Sequence, residues 1–154
     1  MAGVAGLALI AVGAVALAGL KQVDRREQCL WQLSRVGMVV IAAEPRESAA
    51  WDRVGQGRRF FLDVADWPKP PFPIDVRWFC CPEVGAPVVG RIDYRGPASP
   101  LRRMDRDDPI MADRPGNHGA GGGGNVVLRG GAARSVPEAD PAWVRASTTT
   151  SQGD

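Results

Sequence analysis

The sequence predicts an α+β chain: one long N-terminal helix, half in a membrane and half outside it, followed by a small domain of short strands. Three observations predict it. Ala2 to Leu20 holds no charged, amide or hydroxyl side chain, and as a helix that run extends about 28 Å, close to the roughly 30 Å of bilayer hydrocarbon. Leu30, Leu33, Val36, Gly37, Val40 and Ile41 recur at three- and four-residue steps, with Gln28, Gln32 and Arg35 off that stripe, so the helix continues beyond the membrane. The remainder is rich in the 19 Gly and 13 Pro of this 154-residue chain, residues that weaken helix interiors and punctuate strands.

Taken in order, residues 1–20 are expected to be a transmembrane anchor in contact with membrane lipid. Its driving force is soft, because Ala and Gly fill most of it. Ala16-Leu17-Ala18 also reads as a small-x-small cleavage site, so a secretory signal cleaved to leave an N-terminus near Gly19 is the alternative, although no basic residue precedes the apolar run. Lys21, Arg25 and Arg26 follow it; the positive-inside rule taken alone places them, and the domain after them, in the cytoplasm. The spine helix is expected to end near Glu44, since Pro45 biases its predecessor away from helical angles. A second short helix is expected over Pro45–Val54, with Gly55 as its stop.

Trp67 to Pro73 is too proline-dense for a helix or a central strand and is expected to lie extended as a connector. Strands are expected over Val76–Cys80, Pro87–Tyr94 and Asn125–Val136. The last is divided by Gly130-Gly131, whose freedom at positive φ suits a two-residue hairpin turn. The domain runs over residues 21–145, and the Ser- and Thr-rich residues 146–154 are expected to be a disordered tail.

Charge excludes some functions. The net charge of +2 arises from 19 basic and 17 acidic residues spread along the chain, which offers no single-sign face for nucleic acid. The richest charged stretch, Arg102 to Arg114, nearly cancels itself and is expected to be a solvated loop. His118 is the only histidine, which removes paired-His metal sites. It is expected to be structural, with its ring bonded to a neighbouring backbone group. The remaining metal candidates are Asp113 and His118, joined by Asp107 or Asp108, and no cofactor is expected. The glycine run Gly119 to Gly124 lacks the Lys and Ser or Thr that complete a phosphate-binding loop and is expected to be a flexible lead into the hairpin. The cysteines are Cys29, Cys80 and Cys81; in an oxidising compartment one disulfide can join Cys29 to Cys80 or to Cys81. No nucleophile–base pair is evident, so the chain is not expected to be an enzyme.

Met111-Ala-Asp-Arg114, Asn117-His-Gly119, Asn125-Val-Val-Leu128 and Gly130-Gly131 together resemble the C-terminal signature of pilin-like proteins with a prepilin-type H-x9-D-G domain. The stretch from Arg26 to Gly37 is similar to that family's segment just past the membrane helix, Phe79-Cys-Cys-Pro82 to its Cys-Pro element, and Ile92-Asp-Tyr94 to its Tyr-bearing strand. The motif positions carried over are Asp113, Arg114, Asn117, His118, Asn125, Gly130 and Gly131. Gly130 stands where the family has Asp, and the glycine run lengthens the spacing after His118. The family's Gly followed by Phe-Thr-Leu-x-Glu, the site of leader processing, is not present.

The resemblance implies a type IV pilin or type II secretion pseudopilin fold, with the long helix packed on a small antiparallel sheet outside the cytoplasm. It implies a non-enzymatic role as a structural or secretion-associated subunit of the inner membrane. The expected partners are other pilin-like or secretion-system subunits, met through the N-terminal helix. The alternative from a different class is a secreted or tethered small domain that binds a ligand or metal at the Asp113, Asn117 and His118 loop.

Overall fold

The computed structural model describes residues 25–42, 54–67 and 70–153. The expected anchor over residues 1–20, the end of the spine at Glu44 and all but the last residue of the helix expected at Pro45–Val54 lie outside them; Val54 itself is not helical. No helix among the described residues is long and apolar enough to cross a membrane.

Residues 25–42 form helix α1. It buries Cys29, Leu33, Val36, Val39 and Val40, a stripe of three- and four-residue steps. Gln32, off that stripe, is also buried, and its Oε1 accepts from the Tyr94 hydroxyl at 3.4 Å. Helix α2, Gly57–Ala65, buries Phe60, Phe61 and Val64, and Phe61 packs edge-on against Phe60 and Phe79 with centroids 5.2 and 5.4 Å apart.

The chain is α+β, with one five-stranded antiparallel sheet. Its strands are β1 (Tyr94–Pro97), β2 (Pro109–Asp113), β3 (Gly124–Leu128), β4 (Ala133–Val136) and β5 (Thr150–Ser151), in spatial order β4-β3-β2-β1-β5. Side chains alternate across a sheet, and that alternation builds two cores. Met111 and Val127 join α1, α2 and Tyr94 in the larger core. Ala112 and Val126 join Val136 and helix α3, Pro141–Thr149, in the smaller one. The approach of α1 is close: a Cβ built at Gly37 would lie 2.7 Å from Val127 Cγ1 and 3.1 Å from Met111 Cε.

Several expectations are corrected. Val76–Cys80 is not a strand: Asp75 accepts the Arg77 amide at 2.9 Å and starts a 3-10 turn over Val76–Phe79. Of Pro87–Tyr94 only Tyr94 is in a strand. The charged stretch before Arg114 is not all solvated loop, since its second half is β2, buried along its whole length. The β3–β4 hairpin is present, but its connection is longer than two residues. Leu128 N–H donates to the Ala132 carbonyl at 2.8 Å and Gly131 N–H to Leu128 at 2.9 Å, and of the two glycines Gly131 alone has positive φ, at 96°. Residues 146–151 are not a disordered tail. Asp140 caps α3 through the Ala142 amide at 2.8 Å, with Pro141 in the first turn, a favourable helix start. Ala146 and Thr150 are buried, and β5 pairs with β1.

Candidate functional site

The register of the sheet determines which polar groups face α1. Asp113 shares a face with Met111, and Tyr94 lies directly opposite Asp113 in the β1–β2 pair. Asn125 shares a face with Val127. All three are buried; α1 places Cys29 against Tyr94 and Asp113 and its Arg26 carbonyl within 3.4 Å of Asn125 Nδ2. The Cys29 Sγ lies 3.2 Å from Asp113 Oδ1, 3.2 Å from the Tyr94 hydroxyl and 2.9 Å from Cys81 Sγ.

Two loops complete the cluster. The first follows the 3-10 turn: Asp93 N–H donates to the Phe79 carbonyl at 2.8 Å, and the Asp93 carboxylate accepts the Cys81 amide at 2.9 Å while Arg91 pairs with it at 2.9 Å. The second is the glycine-rich loop between β2 and β3. Successive turns close at Asn117 and Gly119, Asn117 Nδ2 donates to the Asp93 carbonyl at 2.8 Å, and Arg26 reaches from α1 to the Gly122 carbonyl at 2.8 Å. Gly123 has positive φ, and a Cβ there would collide with the Val136 carbonyl. The loop so folded returns His118 to Asp113, with Nε2 2.7 Å from Oδ2 and the His118 side chain 3% exposed.

Asp113 is the hub. Its Oδ2 also accepts the Asn125 amide at 2.6 Å, and the Arg95 guanidinium, stacked on Trp143 at 5.1 Å, donates to the Asp113 carbonyl at 2.9 Å. His118, the Asn125 backbone amide and Cys29 thus serve a carboxylate that would be costly to bury alone. The electrostatics are tightly linked. The Cys29 thiol is pushed far up by its hydrogen bond to Cys81, by burial and by the Asp113 charge. Cys81 is shifted down by the hydrogen bond from Cys29, against burial. Burial works to lower His118, but the hydrogen bond and charge of Asp113 outweigh it and hold the ring above its ordinary value. Burial raises Tyr94 well above the usual phenol range, with the nearby Cys29 and Asp113 adding to it.

The structure thus brings Asp113 and His118 together, as the sequence singled them out, but with partners the sequence did not select. His118 bonds to a carboxylate, not to a backbone group. Asp107 and Asp108 stay away from the cluster: Asp107 is exposed, and Asp108 binds the Asp105 amide at 2.8 Å. Arg114 is half-buried, and Gly130 donates its amide to the Arg106 carbonyl at 2.7 Å. Of the two partners left open for Cys29, Cys81 is the one that faces it and Cys80 does not; all three cysteines are free thiols in this structure. Neighbouring side chains of extended chain point opposite ways, and Cys80, itself extended, turns its thiol to the Val88 and Arg91 carbonyls at 3.6 and 3.4 Å.

Cys29, Cys81, Asp113 and His118 each offer one ligand atom, and these atoms all lie within 4.8 Å of one another. Two thiols, a carboxylate and an imidazole are donors suited to a borderline-soft divalent ion; the thiol pair can also be oxidised to a disulfide. Comparison of the chain with protein-family models, with curated proteins and with solved structures gave no match.

Proposed function

We propose that the chain is a non-enzymatic, membrane-anchored protein of pilin or pseudopilin type, acting as a structural or secretion-associated subunit with its folded domain outside the cytoplasm. The observation that carries this reading is the packing of α1 on the antiparallel sheet, where the absence of a side chain at Gly37 lets the helix approach Val127 and Met111. The sequence before Arg25 supports it, since an apolar run long enough to span a bilayer ends at Leu20, five positions before Arg25. In this reading the helix serves two purposes: its first half holds lipid and neighbouring subunits, and its second half is the backbone of the domain.

Fractionation of the full chain expressed in a bacterial host, with intact mass and protease accessibility, tests the proposal. The expected product is membrane-bound, keeps residues 2–20, and is digested only from the outer side. A soluble product beginning near Gly19 would overturn it and favour a secreted binding domain.

A further inference from the structure

We propose that Cys29, Cys81, Asp113 and His118 form a structural site for one zinc-type divalent ion, which fastens helix α1 to the sheet and to both loops. The proposal goes beyond the pilin-type reading and does not depend on it.

The first support is the supply of lone pairs against the supply of protons. Cys29 has one S–H proton, and three groups crowd its sulfur: Cys81 Sγ at 2.9 Å, Asp113 Oδ1 at 3.2 Å and the Tyr94 hydroxyl at 3.2 Å. That proton serves one of them. Tyr94 has Gln32 as an acceptor, which leaves only the two thiol protons of Cys29 and Cys81 to serve the crowded lone pairs of both sulfurs and Asp113 Oδ1. A cation answers such a surplus, and ligation releases two thiol protons to solvent as two metal–sulfur bonds form.

The second support is His118. Its Nε2 is used by Asp113 at 2.7 Å, while Nδ1 is buried with no hydrogen-bond partner among the described residues. Nε2, beside Asp113 in a side chain 3% exposed, is therefore the nitrogen placed to share an ion with that carboxylate: the 2.7 Å Nε2–Oδ2 contact would open into one edge of the coordination shell, and Asp113 Oδ1 is turned to Cys29.

Size and charge agree. Zinc bond lengths of about 2.0–2.3 Å give tetrahedral donor edges of roughly 3.3–3.8 Å, so ligation expands the present contacts by less than about 1 Å. Two thiolates and a carboxylate around a divalent ion leave one negative charge. The guanidinium of Arg95 is bonded to Asp113's own carbonyl, and Arg26 acts electrostatically on His118. The four ligands come from α1, the segment after the 3-10 turn, the end of β2 and the glycine-rich loop. Such a site is therefore invisible to any search for closely spaced ligand motifs.

The test uses the full chain, purified in a metal-free phosphine reductant, then equilibrated with zinc alone and, separately, with cobalt alone. One zinc per chain after dialysis is expected by elemental analysis. The cobalt form should show thiolate-to-metal charge transfer and tetrahedral d–d bands. Cys81→Ser should lose at least tenfold in zinc affinity, whereas Cys80→Ser, whose thiol lies outside the cluster, should keep the wild-type stoichiometry and spectrum. Should the serine variants not fold, the cobalt spectrum of the wild type decides alone. Less than a tenth of an equivalent of zinc on the fully reduced chain would overturn the proposal, as would cobalt bound without thiolate charge transfer. A chain isolated two mass units light, with Cys29 and Cys81 joined, that still takes up no zinc after reduction would overturn it as well and make the pair a disulfide staple.

Discussion

On the α3 side of the sheet the contact is made of small apolar groups and one large ring: Ala112, Val126 and Val136 meet Ala142, Ala146 and Trp143. A Cβ built at Gly124 would lie 2.5 Å from the Trp143 ring. On the α1 side the contact is larger and mixed. Leu33, Val36 and Val40 pack against Met111 and Val127, and beside them lies the buried group of Cys29, Tyr94, Asp113 and His118. One sheet has thus been covered in two ways. The α3 face has one buried polar side chain to place, Arg95, which lies on Trp143 and donates to the Ala146 carbonyl at 3.3 Å, whereas the α1 face needs a whole cluster of donors and acceptors placed, because an unpaired buried polar group costs about 1–3 kcal/mol. Such a requirement fixes the register of α1 on the sheet more tightly than hydrophobic packing, which tolerates substitution of similar volume.

The comparison can be broken first at Gly37. Gly37→Val places methyl groups where Val127 already stands, and overpacking of this kind costs about 1–3 kcal/mol. Urea unfolding should show that loss with an unchanged m-value; a variant as stable as the parent would mean that α1 does not seat this closely. A smaller effect belongs to the other face. Asp140→Ala removes the cap of α3, worth about 1 kcal/mol. Hydrogen exchange should then quicken in Pro141–Thr149 and β5 while α1 keeps its protection, and equal loosening of α1 would show that the two faces are not independent.

The same contrast explains what could be read from the sequence. The stripe of α1 and the β3–β4 hairpin are set by local period and by glycine, so Leu33, Val36 and Val40 on one side and the Gly130-Gly131 connection on the other were legible. Strand β2 was not. It opens on Pro109, sits among charges and is buried on both faces, so it carries no alternation to distinguish it. Helix α3 was hidden by its serine and threonine content, although Asp140-Pro141 was a start signal available in the sequence. In the site, Asp113 and His118 were legible because they lie only five positions apart. Cys29 lies 52 residues from Cys81 and 84 from Asp113, and only the docking of α1 brings them together. The choice between Cys80 and Cys81 depended on which side of an extended segment each faces, a matter of register that the sequence leaves open.

The most direct test of the account is thermal unfolding of the reduced chain with and without saturating zinc, beside Cys29→Ser. A site filled at a hundredfold excess over its Kd stabilises by about 2.7 kcal/mol, which for a chain of this size raises Tm by roughly 5–10 °C. The account predicts that rise in the wild type and its loss in Cys29→Ser. An unchanged Tm in the wild type, or an equal rise in both proteins, would contradict it.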